Sequence, residues 1–537
     1  MKIFTRLFYL FSCSVLFLCF FCCRKPKEDL NFILITLDTQ RADYISAYSP
    51  QNASTPNIDS LAQLGTRYEN CFSLIPITLP SHASLFFSEP PHVIKNYNNG
   101  QIISERKKHP SFPVLFQKNG YQTSAFISLG VLKSQFGLAE GFDVYRDEFP
   151  ENRWYLTAEE VNRSVFDWLD SKEEGKFFMW VHYSDPHDPY YPPGMPAELT
   201  IYLNDEVVGT YNLGKFEKNE IELHLKSGKN VVRFDIVNDE MEDQEGFLAR
   251  LETLDFSVPP EDKVIDIDLF WGWFIRQERR THFFKKNAMI AITNLSAPRQ
   301  INMTFRGKPN PPSIERTKEL YKAEVEYMDG EIGKLLLKLK ELDLMDKTHI
   351  LVVGDHGEGL GEYRNYFGDP HVGHIHFLQN VYMHVPLIIY NPLHSKKDTV
   401  SQEYVTLLDV APTVMDTMKF KNIPGYLGRN LNKLKKKSRY SIFEETYKPE
   451  AVKEKFAIIE YPWHLIFTPE DQQYELYDLQ NDFGEKTDIY SEQAQHSKIS
   501  ELKKKLDEFS RNILRSKEEV KIGKDVEEML KALGYIK

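Results

Sequence analysis

Cysteine is scarce in this chain and poorly placed for cross-linking. Of five cysteines, Cys13, Cys19, Cys22 and Cys23 lie near the N-terminus and only Cys71 lies beyond them. The body of the protein therefore has no intramolecular disulfide available, and its stability must come from core size. An excess of positive charge is also missing, since 66 Lys and Arg face 78 Asp and Glu for a formal net charge of −12. Binding a polyanion needs clustered cations, so nucleic acid is not expected as a partner. The clusters Lys435–Lys437 and Lys503–Lys505 read as solvated faces. Internal repeats are absent. Long apolar runs are absent too, with one exception: Leu7 to Cys23, preceded by Lys2 and Arg6 and closed by Arg24-Lys25-Pro26-Lys27. This is the layout of an export signal or a single membrane anchor at the short limit of a bilayer span. Cys22 or Cys23 ends the run directly before a polar tether and is placed for lipid attachment. The expectation is an exported, membrane-anchored protein, periplasmic or a cell-surface lipoprotein.

What remains is an ordinary globular composition, 42% apolar and 27% charged over 537 residues, enough for two to four domains. Asn31 to Leu37, Thr123 to Ile127, Lys176 to Val181, Thr348 to Val353 and Val385 to Tyr390 are apolar runs of the kind buried on both faces of a sheet. Helical patterns separate them. One opens at Thr55-Pro56, with Ile58, Leu61 and Leu64 on one face, and a long one runs from Ser313 to Leu344. That alternation predicts an α/β fold with a mostly parallel sheet and functional groups beyond the strand ends. From Ala197 to Arg306 the rhythm changes to alternating strands with Asn-Asp and Gly-Lys turns, read as an inserted β-sandwich with Trp271 and Trp273 in an apolar patch between its halves. Phe456–Ile459, Trp463–Phe467 and Tyr474–Asp478 predict a small C-terminal antiparallel sheet followed by a helix from Ser497 to Ile513. The expected organisation is an anchor and tether at 1–30, a catalytic domain at 31–196 and 307–440 around the insert at 197–306, and an α+β subdomain at 441–537.

Three segments supply chemistry. Asp38 ends the first apolar run, Asp355-His356 ends the run at His349–Gly354, and Thr78-Leu-Pro-Ser-His82 lies between them. Asp38, Asp355, His356 and the Thr78 hydroxyl make a mixed oxygen and nitrogen shell for one divalent ion, Ca, Mg, Mn or Zn. Thr78 followed by Pro80 also reads as a helix start, Thr78 being the N-cap, whose free amides would face a tetrahedral anion. Metal coordination would make Thr78 a usable nucleophile toward a sulfate or phosphate ester. His187, His371, His374 and His376 supply imidazoles that can bind ester oxygens or protonate a leaving alkoxide.

The chain resembles the sulfatase family of the alkaline phosphatase superfamily. The matching pieces include Asn31-Phe-Ile-Leu-Ile-Thr-Leu-Asp38, Thr55-Pro-Asn-Ile-Asp59, Thr78-Leu-Pro-Ser-His-Ala-Ser84, Asp185-Pro-His187-Asp-Pro189, Gly354-Asp-His-Gly-Glu358, Val385-Pro-Leu-Ile-Ile389, Asp409-Val-Ala-Pro-Thr413 and Leu476-Tyr-Asp-Leu479. The resemblance implies an alkaline phosphatase-like mixed sheet flanked by helices. It also implies Asp38, Asp355 and His356 as metal ligands, Thr78 at the nucleophile position, His187 as an oxyanion contact, and His82 with His374 or His376 as substrate-binding residues. Two departures stand out. Many members carry a second Asp after the first, where this chain has Thr39. Members of the usual kind convert a Cys or Ser to formylglycine, and Thr78 cannot become that aldehyde because its β-carbon carries a methyl group. Threonine nucleophiles occur in related phosphoethanolamine transferases, lipoteichoic acid synthases and nucleotide pyrophosphatase-type enzymes. The expected substrate is therefore a sulfated or phosphorylated glycan, lipid or small ester, cleaved by hydrolysis. Phosphoryl or phosphoethanolamine transfer to an envelope acceptor is one alternative; an inactive glycan-binding surface protein is another.

Overall fold

The computed structural model describes residues 30–516 apart from 104–108, 152, 194–197, 214–216, 238–248, 259–263, 277–280, 310–312, 366–367, 394–397, 422–424, 435–439 and 448–452, together with 526–527 and 529–530. The apolar segment Leu7–Cys23 and the Lys435–Lys437 cluster lie outside the described residues. No helix among the described residues is long and apolar enough to cross a membrane.

An apolar run without polar alternation needs cover on both faces. In the strands Asn31–Leu37, Phe177–Tyr183 and Thr348–Gly354 every residue is buried, and the three are neighbours at the centre of an eight-stranded sheet. Its strand order is Thr399–Thr406, Thr66–Phe72, His384–Tyr390, Thr348–Gly354, Asn31–Leu37, Phe177–Tyr183, Gln122–Phe126 and Val144–Arg146. His384–Tyr390 runs antiparallel to both neighbours, while the other pairings are parallel. The alternation of Asn31–Leu37 divides the core in two. Ile33, Ile35 and Leu37 join the helices Pro56–Leu64, Ala158–Ser171 and Ile314–Glu341 on one face. Phe32 and Leu34 join Thr78–Phe87, Phe112–Lys118 and Val410–Thr417 on the other. The strands Thr66–Phe72 and Thr399–Thr406 are not visible as apolar runs, because polar residues break both of them.

The inserted region is one antiparallel sheet folded over on itself. Its order is Glu206–Asn212, Glu198–Leu203, Gly228–Val237, Thr281–Asn294, Ala249–Phe256, Arg299–Pro309 and Asn219–Leu225, with Ile265–Arg276 paired alongside Thr281–Asn294. One half of the long strand Thr281–Asn294 pairs with Gly228–Val237 and the other with Ala249–Phe256; Asn287, at φ 60°, lies between the two halves. Leu223, Val232, Leu251, Phe284, Ile290 and Phe305 then share one apolar core. The two tryptophans do not share a location. Register shifts on either side of Trp271 break the alternation, so Trp273 packs on Phe234 and Phe284 at 5.2 Å, whereas Trp271 is 52% exposed.

At the C-terminus a four-stranded antiparallel sheet, Ile442–Thr446, Lys455–Glu460, Trp463–Thr468 and Gln473–Asp478, packs against the helix Ser497–Ser516 through Leu465, Ile499, Leu502 and Leu506. Its first strand, Ile-Phe-Glu-Glu-Thr, lacked an apolar signal because three of its five residues are polar.

Candidate active site at the strand ends

Parallel pairing of Asn31–Leu37 with Thr348–Gly354, with Leu37 opposite Gly354, carries Asp38 and Asp355 out of the sheet side by side. Both are fully buried, as are His356 and Thr78. Each carboxylate has one oxygen held and one left over. Asp38 Oδ2 lies 3.2 Å from His182 Nε2, while Asp355 Oδ1 accepts from the Thr39 and His356 amides at 3.1 and 2.7 Å. Asp38 Oδ1 and Asp355 Oδ2 have no hydrogen-bond partner among the described residues, an expensive state for buried carboxylates. His356 donates from Nδ1 to the Gly357 carbonyl at 3.0 Å, which leaves Nε2 with a lone pair, 3.4 Å from Thr78 Oγ1. The candidate ligand atoms of Asp38, Asp355 and His356 all lie within 4.8 Å of one another. Orphaned oxygens beside an imidazole lone pair and a hydroxyl fit a divalent cation, and the donor types are those of a mixed Mn or Zn shell.

The charge balance points the same way. Burial, and then the neighbouring Asp38, push the Asp355 carboxyl well above the usual range. Burial works in that direction on Asp38 too, yet the His182 hydrogen bond and the surrounding imidazoles hold it below the usual value. Burial and His374 drive His356 far down, which keeps its imidazole in the neutral, metal-binding form. Two buried carboxylates pushed apart in this way share a deficit that a cation would fill.

His182 is not among the residues that the sequence motifs single out. Ser128 donates its amide to His182 Nδ1 at 3.3 Å, so Nε2–H is the group facing Asp38, an orienting bond of the kind that fixes metal ligands. The available signal was its place in the strand, directly opposite Thr36, two residues before Asp38. Thr39 is held in the left-handed region at φ 53°, with its hydroxyl on the Asp38 carbonyl at 2.8 Å. A β-branched residue there is strained.

The helix Thr78–Phe87 starts one residue earlier than expected. Ile77 is the N-cap and makes no side-chain capping bond, so the Thr78 hydroxyl faces His356 rather than the helix. The first-turn amides are also committed: Leu79 N–H donates to Asn99 Oδ1 at 2.8 Å, Ser81 N–H to the Ile77 carbonyl at 3.0 Å, and Pro80 has none. The open row of amides read from the sequence is not there. His82 is corrected as well. It donates from Nδ1 to the Thr78 carbonyl at 2.8 Å and accepts at Nε2 from Thr36 Oγ1 at 3.1 Å. Burial and His182 lower it to about 3. With both nitrogens used inside the protein, His82 positions Thr78 and has nothing to offer a substrate.

Of the imidazoles in the loop after Glu362, His374 reaches the site, its ring 4.6 Å from that of His356 and 5.1 Å from that of His187. Its Nδ1 lies 3.3 Å from Glu358, whose carboxyl burial pushes well up. His376 goes instead with His371, at 5.1 Å, because Ile375 between them sits at φ 87° and turns the two side chains apart. His187 donates from Nδ1 to the Asp188 carbonyl at 2.7 Å, and burial lowers its pKa. The insert touches this rim, where the buried Lys308 forms an ion pair with Asp188.

A buried carboxylate pair, a hydroxyl and several imidazoles thus gather at the ends of a mostly parallel sheet, where open α/β folds place their chemistry. The sulfatase family model matches residues 30–420, and the model of the N-sulphoglucosamine sulphohydrolase C-terminal region matches 374–512. The chain belongs to the sulfatase family. It is 23% identical to the N-acetylglucosamine-6-O-sulfatase of Bacteroides thetaiotaomicron, over 91% of this chain and 88% of that protein. It is 23% identical to an arylsulfatase of Clostridium perfringens, over 72% of this chain and 74% of the other. Among solved structures, one in complex with its substrate D-glucosamine-2-N,6-O-disulfate superposes with a TM-score of 0.61 at 17% identity, covering 91% of this chain and all (100%) of that one. The phosphonate monoester hydrolase of Agrobacterium radiobacter superposes with a TM-score of 0.58 at 15% identity, covering 90% and 96%. Two of these proteins are named as sulfatases and one as a phosphonate monoester hydrolase, and ester hydrolysis of the sulfatase kind is the activity class of the family to which this chain belongs.

Proposed function

We propose that this protein is a metal-dependent ester hydrolase that uses Thr78 as its nucleophile and acts on a sulfated or phosphorylated glycan outside the cytoplasm. The observation that carries the reading is the convergence of two orphaned carboxylate oxygens and the His356 Nε2 lone pair next to Thr78 Oγ1. Asp38, Asp355, His356 and Thr78 would hold the ion. When bound, a divalent cation supplies charge stabilisation for the ester oxygens and acidifies the threonine hydroxyl.

The rest belongs to the chain's own residues. His82 fixes the backbone of Thr78, and the helix keeps its side chain turned to the ligand group. His187 and His374, with rings 5.1 Å apart, are placed to hold the ester oxygens and to pass a proton to the leaving alkoxide. His374 is steadied in that duty by Glu358. In-line attack by Thr78 Oγ1 forms a bond to phosphorus as the ester P–O bond breaks, the threonine proton passes by way of an imidazole to the leaving alkoxide, and attack by water at phosphorus then releases phosphate and restores the threonine hydroxyl. A threonine ester of sulfate needs the same attack by water at sulfur, because no aldehyde hydrate is available to expel sulfate. Threonine at position 78 thus favours phosphoryl chemistry, while the names of the relatives favour sulfated sugars; transfer to an acceptor other than water is the second reading, favoured by the same residue. The apolar segment Leu7–Cys23 supports attachment to a membrane from outside.

The test is a panel of aryl sulfate, phosphate monoester and phosphodiester substrates with Ca, Mg, Mn and Zn, run beside Thr78→Ala. Wild-type turnover should require the metal, and Thr78→Ala should lose about 1,000-fold or more in kcat. Full activity in Thr78→Ala would remove the proposed nucleophile.

A further inference from the structure

The C-terminal subdomain contains a buried charged group that the chemistry does not use. His464, on the strand Trp463–Thr468, is fully buried between two equally buried glutamates. Its Nδ1 donates to Glu485 Oε1, and its Nε2 lies 3.2 Å from Glu444 Oε2. Burying three ionisable groups is costly and is seldom the most stable choice for a core. Glu445, the next residue along, has an unrelated task, binding His92 at 3.1 Å.

The second oxygen of Glu485 shows where the group acts. Glu485 Oε2 accepts the amide of Asn380 at 2.5 Å, and Asn380 Nδ2 donates to the Phe483 carbonyl at 2.8 Å. Gln379 is held from the same sheet by Glu475 at 3.1 Å. The short turn of helix Asn380–Met383 is thereby pinned, and it meets the ligand loop directly. Gly357 N–H donates to the Tyr382 carbonyl at 2.6 Å, and Glu358 N–H to the Val381 carbonyl at 3.0 Å. The approach is so close that a Cβ on Gly357 would lie 2.1 Å from the Val381 oxygen. A second grip comes from Thr446, whose hydroxyl donates to the carbonyl of the strained Ile375 at 2.5 Å, beside His374.

We propose that Glu444, His464 and Glu485 are positioning residues that lock the turn Asn380–Met383, and through its carbonyls set the loop Asp355–Glu358 that carries two ligands and the partner of His374. The sheet that bears Glu444 and His464, with the segment after it that carries Glu485, is then part of the active centre rather than an appendage. Charge in the cluster matches this role: His464 is raised to about 10, against burial, by Glu485 and Glu444, so it stays cationic and keeps Glu485 drawn toward it.

The proposal rests on the reading of Asp355 and His356 as ligands, and the experiment separates the two. Full-length wild type, Glu485→Gln and Asn380→Pro are compared by calorimetric titration with Ca²⁺, Mg²⁺, Mn²⁺ and Zn²⁺, by amide exchange and by steady-state kinetics. Asn380→Pro cuts the same link from the loop side, at a first helical position where proline is tolerated, and covers the case in which Glu485→Gln does not fold. Each variant is expected to bind metal about fivefold more weakly, to exchange the Gly357 and Glu358 amides faster, to leave exchange in the inserted sheet unchanged, and to lose kcat with little change in KM. Wild-type metal affinity and unchanged exchange at Gly357 and Glu358 in a folded variant would overturn it. If wild type itself binds none of the four ions, the ligand reading fails, while faster exchange at those two amides would still uphold the lock and unchanged exchange would sink it.

Discussion

The two large sheets of this protein are built by opposite rules. In the central sheet, strands such as Asn31–Leu37 are buried at every position and end in polar atoms whose burial is uncompensated. In the inserted sheet, strands such as Asn219–Leu225 alternate buried and exposed residues, and Ile221, Leu223 and Leu225 serve one core. The first pattern spends stability at its strand ends and the second does not. Orphaned oxygens on Asp38 and Asp355 are tolerable only because covered neighbours on both faces hold the strands in place. The difference separates residues selected for chemistry from residues selected for packing.

The largest expected effect tests that separation at the strand ends. Asp355→Asn should lower kcat by about 1,000-fold or more, yet stabilise the metal-free protein by about 1 kcal/mol, because it removes a carboxyl whose ionisation burial and Asp38 both oppose. Kinetics and thermal unfolding in chelator check both halves. A variant that is inactive and also less stable without metal would mean that Asp355 is structural, and the contrast between the sheets would fail.

The inserted sheet should answer the opposite way. Phe234 is fully buried between Trp273 and Phe284, so Phe234→Ala should cost about 3–5 kcal/mol of insert stability. Turnover of a small aryl ester should change by less than about threefold, since the insert supplies none of Asp38, Thr78, Asp355 and His356 and meets the rim through contacts such as the ion pair of Lys308 with Asp188. Local unfolding followed by amide exchange, beside turnover, reads both. A collapse of small-substrate activity would show that the insert builds the site rather than bordering it.

How much was legible follows from the same contrast. Asp38, Asp355 and His356 could be assembled from the sequence because each lies at the end of a recognisable run, where parallel pairing brings strand ends together, and Thr78 because it reads as a helix start. The strands Thr66–Phe72 and Ile442–Thr446 were not legible, because their polar residues find partners only in the folded chain: Glu445 binds His92 and Glu444 lies against His464. His82 was misread, and the choice between His374 and His376 stayed open, for a related reason. Residue type and proximity in sequence do not say which way an imidazole points, and that was decided by the Thr78 carbonyl in one case and by the left-handed backbone of Ile375 in the other. The N-cap at Thr78 was off by one residue, the usual uncertainty of a helix end, but here it decided whether the hydroxyl capped a helix or faced a ligand. His182 was missed because a buried histidine inside an apolar strand looks like core until the carboxylate beside it is placed.

The smallest expected effect concerns Trp271, which the shifted register leaves 52% exposed although Trp273, two residues on, is packed in the core. An exposed indole on an edge strand adds little to folding, so Trp271→Ala should change stability by no more than about 0.5 kcal/mol, whereas Trp273→Ala should cost several times that. If the insert serves only as packing, kinetics with both small and large substrates will be unchanged by Trp271→Ala. A ring held out to stack on a sugar predicts a different split: KM for a glycan-sized ester rises about threefold, in line with the energy of one such stack, while the KM of an aryl ester stays where it was. The comparison of the two sheets sharpens here, because a substrate-size-dependent KM would give the packing-built sheet a part in selecting substrate without giving it any part in the chemistry.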